Sequence, residues 1–415
     1  MIQKQYKPLI NKLLITFGIL FFYKICTYFP LPGVNLDMIA RFFAEQKNTM
    51  FGVADLFSGG AISRMSFVAL GIMPYITASI LMELFAHFDP NIGALKKEKE
   101  GMVIFVQKTR YLTVFIALIQ SIGVAYGITQ MGEGVIITDT TSFLFYSIPM
   151  LVMGTVLLMW LGEQITNYGL GNGISLIIFT AIISGLPGGV VNTIDLMNNG
   201  SLNPLIILFI LFIMAATTVF IIFIEKGERR IPLQYTSSDF GGNYLPIKVN
   251  LANVIPAIFA GALISIPVTF GTFFKDVSSL NFINDILTPG TLGYNIVTFL
   301  LIFGFTFFYA RIAFKVDEVT KNLNDSGSFI PGIRPGEHTK EYLKKITLRL
   351  TVFSGIYLGT IATVPWAIMN QLGAPFYFGG IMTLVIVQVT FDFITKLFNE
   401  IETLKLKEKE QESFI

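Results

Sequence analysis

The sequence predicts an all-α protein that crosses a membrane many times, and three features carry that prediction. The chain has 415 residues, of which 53% are hydrophobic and 13% are charged, whereas about 25% of the residues of a soluble globular protein are charged. Its apolar residues form blocks of roughly twenty, which as helices cross about 30 Å of hydrocarbon. Its lysines and arginines gather in alternate connections between these blocks.

The apolar blocks predict about ten spans, five on each side of a break at residues 187–203. They lie at 14–30, 67–88, 104–130, 143–161, 173–186, 204–224, 251–270, 294–314, 346–365 and 375–393. The equal division predicts two related halves, at 1–188 and 203–395, joined by an external hinge loop at 189–202 and followed by a cytoplasmic tail at 396–415. No small-residue cleavage site follows the first block, so it is expected to remain as a span.

The positive charges predict an orientation. Most of the 29 lysines and arginines lie in loops of one parity, and those in loops of the other parity are Arg41, Lys47, Arg64 and Lys275. Because cytoplasmic loops carry the excess of Lys and Arg in membrane proteins, both termini are expected on the cytoplasmic side.

The predicted spans are almost bare of ionisable groups, which mark ion-coupled transport when they lie at mid-depth. Lys24 can reach the interface, and Glu83, Glu163 and Asp392 lie near span ends. No nucleotide-binding loop or catalytic motif is found, His87 and His338 lie far apart, and the single Cys26 excludes an intrachain disulfide. We expect a passive conduit with no enzymatic activity, cofactor or metal.

Two glycine-rich stretches depart from plain spans. Residues 52–65 are too short and polar to cross a membrane, so they form either a surface loop or a re-entrant piece lining a cavity. The stretch "GLGNGISLIIF" places Ile174 and Ile178 on one face of a helix, as "GIMPYI" does for Ile72 and Ile76. Such stripes usually only pack helices, but stiff β-branched side chains at a constriction would exclude water and gate a pore.

A third irregular element is the polar loop containing "GSFIPGIRPGEHTKEYL". Proline fixes the backbone and glycine allows tight turns, so "PGIRPG" predicts a rigid turn that presents Arg334. A simple linker does not need this rigidity, whereas a docking element for a soluble partner does.

These elements together resemble the SecY family, the channel subunits of the bacterial Sec translocon and relatives of the archaeal and eukaryotic Sec alpha subunits. The resemblance covers nearly the whole chain and rests on motifs in family order: "FSGGAISRMS", "ALGIMPYITASI", "LMWLGEQIT", "GLGNGISLIIF", "ERRIPLQY", "LPIKVNLANVIPAIFA", "SFIPGIRPGEHT" and "PFYFGG". It implies ten helices in two pseudo-symmetric halves around an hourglass pore with a re-entrant plug helix.

The resemblance also implies roles for particular residues. The plug, at about 52–66, would include Phe57, Ser58, Gly59, Gly60, Ala61, Ile62, Ser63 and Arg64. The pore ring would be Ile72, Ile76, Ile174, Ile178, Ile258 and Val385. The lateral gate would contain Pro74, Thr77, Pro256 and Phe259, with the prolines weakening its two helical walls. Motor or ribosome docking would fall to Arg229, Arg230, Arg334, Pro335 and Gly336.

The implied function is export of unfolded polypeptides across the bacterial cytoplasmic membrane, and lateral release of membrane segments directed by signal sequences. The implied partners are small SecE-like and SecG-like subunits, the lipid bilayer, and the SecA motor or the ribosome, with no direct nucleic-acid substrate. One feature departs from the family, because the loop between Arg230 and Lys248 has no basic residue and electrostatic steering there would be weaker. A specialised paralogue with few clients and, more remotely, an inverted-repeat solute transporter are the alternatives.

Overall fold

The computed structural model describes residues 6–45, 55, 58–96, 98–132, 134–200, 203–235, 244–273, 286–287, 291–371 and 380–413. Within these ranges the chain is mostly helical. The helices are α1 (Lys7–Cys26), α2 (Leu36–Glu45), α3 (Met73–Phe88), α4 (Pro90–Leu95), α5 (Lys99–Thr129), α6 (Thr140–Tyr168), α7 (Gly173–Asn198), α8 (Pro204–Glu225), α9 (Ile255–Phe273), α10 (Leu292–Ala313), α11 (Val316–Asp325), α12 (Glu337–Gln371) and α13 (Gly380–Ser413). The strands are β1 (Glu228–Pro232), β2 (Gln234–Tyr235), β3 (Tyr244–Lys248) and β4 (Ser328–Phe329).

Each of the ten predicted spans corresponds to a helix. In the described part of the chain, 8 helical segments are long and apolar enough to cross a membrane, and these include α1, α5, α6, α7, α8, α10, α12 and α13. The other two predicted spans correspond to α3 and α9, which have 16 and 19 residues. Both helices begin later than the predicted spans do.

The second span begins later than the sequence predicts. Residues 67–72 form turns, and α3 starts at Met73 with Pro74 in its first turn. A proline costs little there, because the first N–H groups of a helix have no intrahelical partner. Gly71, just before the helix, has φ +60°, which glycine adopts without strain. Pro74 therefore starts a helix, and its expected role in weakening a helix interior is wrong.

Pro256 occupies the equivalent place in the seventh span. It is the second residue of α9, which begins at Ile255, four residues after the start of the expected 251–270 block. Residues 251–254 form turns and bends, and Asn253 takes φ +53°. Pro256 is thus also a helix-starting residue and not an internal kink.

The fifth and tenth spans run further than predicted. The helix α7 continues through Pro187 to Asn198, so it covers most of the expected hinge loop at 189–202. The helix α13 continues to Ser413 through the expected tail, and Glu400 accepts an ion pair from Lys12 of α1 at 2.6 Å. Proline removes one hydrogen bond from a helix but need not end it. Residues 201–202, 372–379 and 414–415 lie outside the described ranges.

The largest hydrophobic cluster lies where most of the spans meet. Its buried residues come from α1, α3, α6, α7, α8, α9, α10, α12 and α13, together with the turns at 61–72. A second cluster joins α2, α5 and α6 to Leu31 and Met65. A third lies among the polar loops and joins β1, β3 and the region that follows α10.

Close approach to α6 requires glycine at two positions. A Cβ on Gly154 would collide with the carbonyl oxygen of Phe67, and a Cβ on Gly173 would collide with the carbonyl oxygen of Gly162. The colliding atoms belong to the backbone, so no side-chain rotation can relieve the contact. Gly154 therefore fixes the turns before α3 against α6, and Gly173 fixes the start of α7.

We expect Gly154→Ala to lower the midpoint of thermal unfolding of the purified protein, because overpacking typically costs about 1–3 kcal/mol. Gly304→Ala in α10 is the matched control, since nothing lies within 4 Å of its added Cβ and alanine is the better helix former. Tryptophan fluorescence during heating in detergent measures both. Equal shifts for the two variants would contradict this packing argument.

Candidate functional site

The six residues expected to form a ring are brought together from four parts of the chain. Ile72 immediately precedes α3 and Ile76 lies in its first turn. Ile174 and Ile178 lie near the start of α7, Ile258 near the start of α9 and Val385 near the start of α13. Five are buried members of the largest hydrophobic cluster, and Ile174 is partly buried and packs against it. We call these six residues the ring.

The start of α7 explains why the sequence there is rich in glycine. The side chain of Asn172 accepts hydrogen bonds from the N–H groups of Ile174 and Ser175 at 3.1 and 3.3 Å, which caps the helix. Gly171 has φ +105°, and Gly173 lies against the backbone of α6. The motif therefore begins a helix in a tight space and places Ile174 and Ile178 on its buried face.

A cavity of about 180 Å³, lined by both polar and apolar side chains, adjoins Ile258 of the ring. Asn172 and Ser175 line one side, and Asn253 lies at the start of α9. Asp392 and Lys396 line the cavity from α13, and Ile258 of the ring forms part of its wall. The apolar ring thus borders a water-accessible space that lies between the two predicted halves.

The described part of the expected plug consists mainly of turns. Asp55 is helical, whereas residues 58–65 form turns and bends, and Phe57 lies outside the described residues. Gly59 and Gly60 have φ +72° and +81°, a region that favours glycine. A Cβ on Gly59 would also lie 2.9 Å from the Tyr23 hydroxyl. The glycine pair is required by backbone conformation and close packing. We call residues 58–66 the turn segment.

Polar contacts attach the turn segment to α1 and α7. The Tyr23 hydroxyl donates to the carbonyl oxygen of Ser58 at 3.1 Å, and the Lys24 ammonium donates to that of Gly59 at 3.1 Å. The Ser184 hydroxyl of α7 lies 3.5 Å from the same Gly59 oxygen. The Ala61 side chain is fully buried in the largest hydrophobic cluster. The segment is therefore seated directly against the core that contains the ring.

Asp55 organises the turn segment from within. Its carboxylate accepts a hydrogen bond from the N–H of Ser63 at 2.8 Å, and its carbonyl oxygen accepts from the Ser58 hydroxyl at 2.9 Å. Burial raises the pKa of the Asp55 carboxyl, while the Ser63 hydrogen bonds and the Arg64 charge oppose that shift. The protonated form of Asp55 is therefore more favoured in this buried position than it would be in water.

The expected lateral-gate residues lie on α3 and α9, and α10 lies close to both helices. Pro74 and Thr77 are buried in α3. The ring of Phe259 in α9 contacts the rings of Phe305 and Tyr309 in α10, with centroids 6.0 and 5.9 Å apart. Phe259 therefore packs α9 against α10, both in the C-terminal half. The helix α3 lies beside this pair of helices.

Sequence reasoning missed one contact between α3 and α10. The ring of His87, at the end of α3, meets that of Phe308 edge to face with centroids 5.3 Å apart. Nothing in the sequence relates these two positions, which lie far apart along the chain. The contact brings the end of α3 against α10.

The expected docking residues lie on two loops that the structure joins. Arg229 and Arg230 are exposed on β1, which pairs antiparallel with β3. Arg334, Pro335 and Gly336 follow β4, which pairs with β2. Ile231 and Leu343 are buried in one cluster between these loops. The two expected docking regions therefore form a single folded unit, which the sequence reading did not foresee.

Each arginine of this unit keeps its guanidinium in solvent. Arg230 donates to Glu228 at 2.6 Å and lies 4.8 Å from the centre of the Tyr244 ring, and the hydrogen bond to Glu228 raises its pKa. The carbonyl oxygen of exposed Arg334 accepts from the Thr339 hydroxyl at 3.0 Å, which holds the turn before α12. The hairpin tip at 236–243 lies outside the described residues.

The spans contain a buried polar group that the sequence reading missed. The Asn250 amide donates to the Glu225 carboxylate at 2.6 Å. The Gln388 amide, oriented with its nitrogen toward the same carboxylate, donates to its two oxygens at 2.9 and 3.1 Å. Glu225, Asn250 and Gln388 are 5%, 1% and 2% exposed. We call them the polar interlock, because they join α8, the segment before α9, and α13.

We expect Gln388→Leu to destabilise the protein by about 1–3 kcal/mol, because it removes one of the two side chains that donate to a buried carboxylate. Gln107→Leu is the matched control, since Gln107 is exposed on α5 and binds only the Tyr111 hydroxyl among the contacts described for its side chain. Thermal unfolding in detergent compares the two. A Gln388→Leu protein as stable as wild type would show that the interlock contributes nothing.

In the described part of the chain, 8 helical segments long and apolar enough to cross a membrane, packed around one buried hydrophobic cluster, define a multi-pass membrane protein. The model of the SecY family matches residues 66–394. The protein translocase subunit SecY of Helicobacter pylori (strain ATCC 700392 / 26695) is 43% identical over 411 residues, covering 97% of this chain and 98% of that relative. The same subunit of Escherichia coli (strain K12) is 40% identical over 400 residues, covering 93% and 90%. The chain belongs to the SecY family.

A solved structure supports the same fold. In it, the plug domain of the SecY protein stabilizes the closed state of the translocation channel and maintains a membrane seal. That chain is 20% identical to this one, with a TM-score of 0.71, and the similarity covers 95% of this chain and 93% of the other. The expected fold class and the resemblance to the family are both confirmed.

Proposed function

We propose that this chain is the central subunit of a protein-conducting channel in the bacterial cytoplasmic membrane. It passes unfolded secretory polypeptides through a pore between its two halves and releases membrane segments sideways into lipid. The observation that supports this proposal is the convergence of α3, α7, α9 and α13 on one buried hydrophobic cluster that includes the expected ring residues. Family membership favours the channel over the small-solute transporter.

The ring supplies the seal in this proposal. Its members are apolar and β-branched, so they are stiff at χ1 and leave no polar group to hold water in the waist. A narrow hydrophobic constriction blocks ions by dewetting. The turn segment, which packs Ala61 into the same cluster, acts as the plug that supports this seal at rest.

The gate of the proposed channel lies between α3 and the pair formed by α9 and α10. The contact of His87 with Phe308 would close its α10 side, and a signal sequence entering there would part α3 from that pair. Because Pro74 and Pro256 start their helices, neither of them would supply a bend within a wall of the gate.

Partners act at the cytoplasmic side of the proposed channel. The excess of basic residues in one set of loops supports a cytoplasmic location for both termini. The exposed Arg229, Arg230 and Arg334 belong to one folded unit, which suits docking of the SecA motor or a ribosome through charge. Small SecE-like and SecG-like subunits would cover the lipid-facing helices and hold the halves together.

Polar substitution in the ring is expected to open the seal. Ile178→Ser should raise the resting ion conductance of proteoliposomes containing the purified complex by several-fold, because a hydroxyl admits water to the waist. Ile183→Ser is the matched control, since Ile183 lies on the same helix but is 39% exposed. Equal conductance of the two variants would overturn the assignment of the ring.

Charge reversal in the docking unit is expected to abolish motor-driven export without disrupting assembly of the channel. Arg334→Glu should remove motor-driven export of a secretory precursor into membrane vesicles while the complex still purifies intact. Lys321→Glu, an exposed lysine of α11, is the control and should export normally. Normal export by Arg334→Glu would show that the motor binds elsewhere.

A further inference from the structure

The contacts between α1 and the turn segment have a feature that general packing does not require. Two neighbouring residues of α1 donate to two successive backbone carbonyls of the turn segment. Tyr23 binds the oxygen of Ser58 and Lys24 binds the oxygen of Gly59, both at 3.1 Å. Neither contact involves a side chain of the turn segment, so both depend on its backbone being in place.

The surroundings of these donors favour the contact strongly. Tyr23 is 1% exposed, and a buried hydroxyl without a partner is costly. Lys24 is only partly buried, and its ammonium lies 5.3 Å from the centre of the Tyr28 ring. The guanidinium of Arg64, in the turn segment, lies 4.2 Å from the centre of the same Tyr28 ring. A hydrogen bond from a charged donor is about twice as strong as a neutral one.

The close fit at Gly59 adds a geometric argument. Gly59 has φ +72°, and a Cβ at this position would lie 2.9 Å from the Tyr23 hydroxyl, so only glycine fits without strain. Because glycine has no Cβ, the backbone here approaches α1 closely enough for its carbonyl oxygens to accept hydrogen bonds from Tyr23 and Lys24. Ser184 of α7 lies 3.5 Å from the Gly59 oxygen. All three donors belong to the N-terminal half of the chain.

We propose that Tyr23 and Lys24 are positioning residues that latch the plug in its closed seat by binding the carbonyls of Ser58 and Gly59. This inference rests on the proposed function, because it assigns the turn segment as the plug. When the plug leaves, both donors lose their acceptors and the Tyr23 hydroxyl opens to the external funnel. The latch therefore biases the channel toward the closed state and lets the plug remain associated with the N-terminal half.

The test uses Tyr23→Phe and Lys24→Met in the whole complex reconstituted into proteoliposomes. Tyr23→Phe keeps the ring and Lys24→Met keeps the apolar stem, so each removes chiefly the donor. We expect resting ion conductance to rise about 2- to 12-fold for Tyr23→Phe, the range for one neutral hydrogen bond, and more for Lys24→Met. Both should also export a precursor with a defective signal sequence more efficiently than wild type.

Matched controls separate the latch from general stability. Tyr111→Phe and Lys7→Met make the same chemical changes at an exposed tyrosine of α5 and at an exposed lysine of α1, and both should conduct as wild type does. Lys24→Arg keeps a charged donor and should restore the tight resting state. A merely structural role would lower the unfolding temperature without raising the conductance, and that result overturns the latch.

Deletion of residues 58–64 distinguishes a failure of the proposed latch from a failure of the proposed sealing role of the turn segment. If the deletion leaks ions while Tyr23→Phe and Lys24→Met stay tight, the latch is wrong and the proposed function stands. If the deletion itself leaves the bilayer as tight as wild type, the sealing role of the turn segment fails together with the latch. If the deletion and both donor variants leak while Lys24→Arg does not, the latch is supported.

Discussion

The packing of β-branched and other apolar side chains at the meeting point of α3, α7, α9 and α13 is the constraint on which the rest of this structure depends. Close-packed interiors transmit strain and tolerate little change in volume. Each helix that enters this cluster must therefore arrive at a fixed depth and angle. The capping Asn172, the helix-starting Pro74 and Pro256, and the close contacts at Gly154 and Gly173 all serve to set those positions.

No residue of the ring takes part in the polar interlock or in the ion pairs of Glu83 and Glu163. The polar interlock ties α8 and α13 together behind α9, and Glu83 and Glu163 are paired with Lys96 and Arg110. The ring itself contains no polar atom. This separation suits a waist that must exclude water while the surrounding helices stay in register, because a satisfied buried network specifies a single arrangement of its elements.

Much of the fold could be predicted from the sequence, since the length of each apolar block and the parity of the charges report directly on spans. Ile72, Ile76, Ile174 and Ile178 could also be selected, because helical spacing places each pair on one face. The ends of the helices could be predicted less well. Pro187 was expected to end α7 but lies inside it, because a proline in a long apolar helix loses one hydrogen bond and the chain keeps all the others.

The features that escaped prediction are contacts between distant parts of the chain. Glu225, Asn250 and Gln388 lie on three separate segments, and only folding reveals that one carboxylate satisfies two amides. The same is true of His87 with Phe308 and of the joined loops around Ile231 and Leu343. Periodicity describes one element at a time, so it carries no information on such pairs.

The helices that carry the ring share a feature at their amino-terminal ends, and its consequence is electrostatic. The ring residues lie immediately before or within the first two turns of α3, α7, α9 and α13. The amino-terminal end of a helix carries about half a positive charge from its aligned peptide dipoles. In the proposed channel, four such ends would lie close to the ring and would oppose the passage of protons and metal cations, in addition to the apolar character of the ring. A polypeptide backbone carries no net charge and would meet no such barrier.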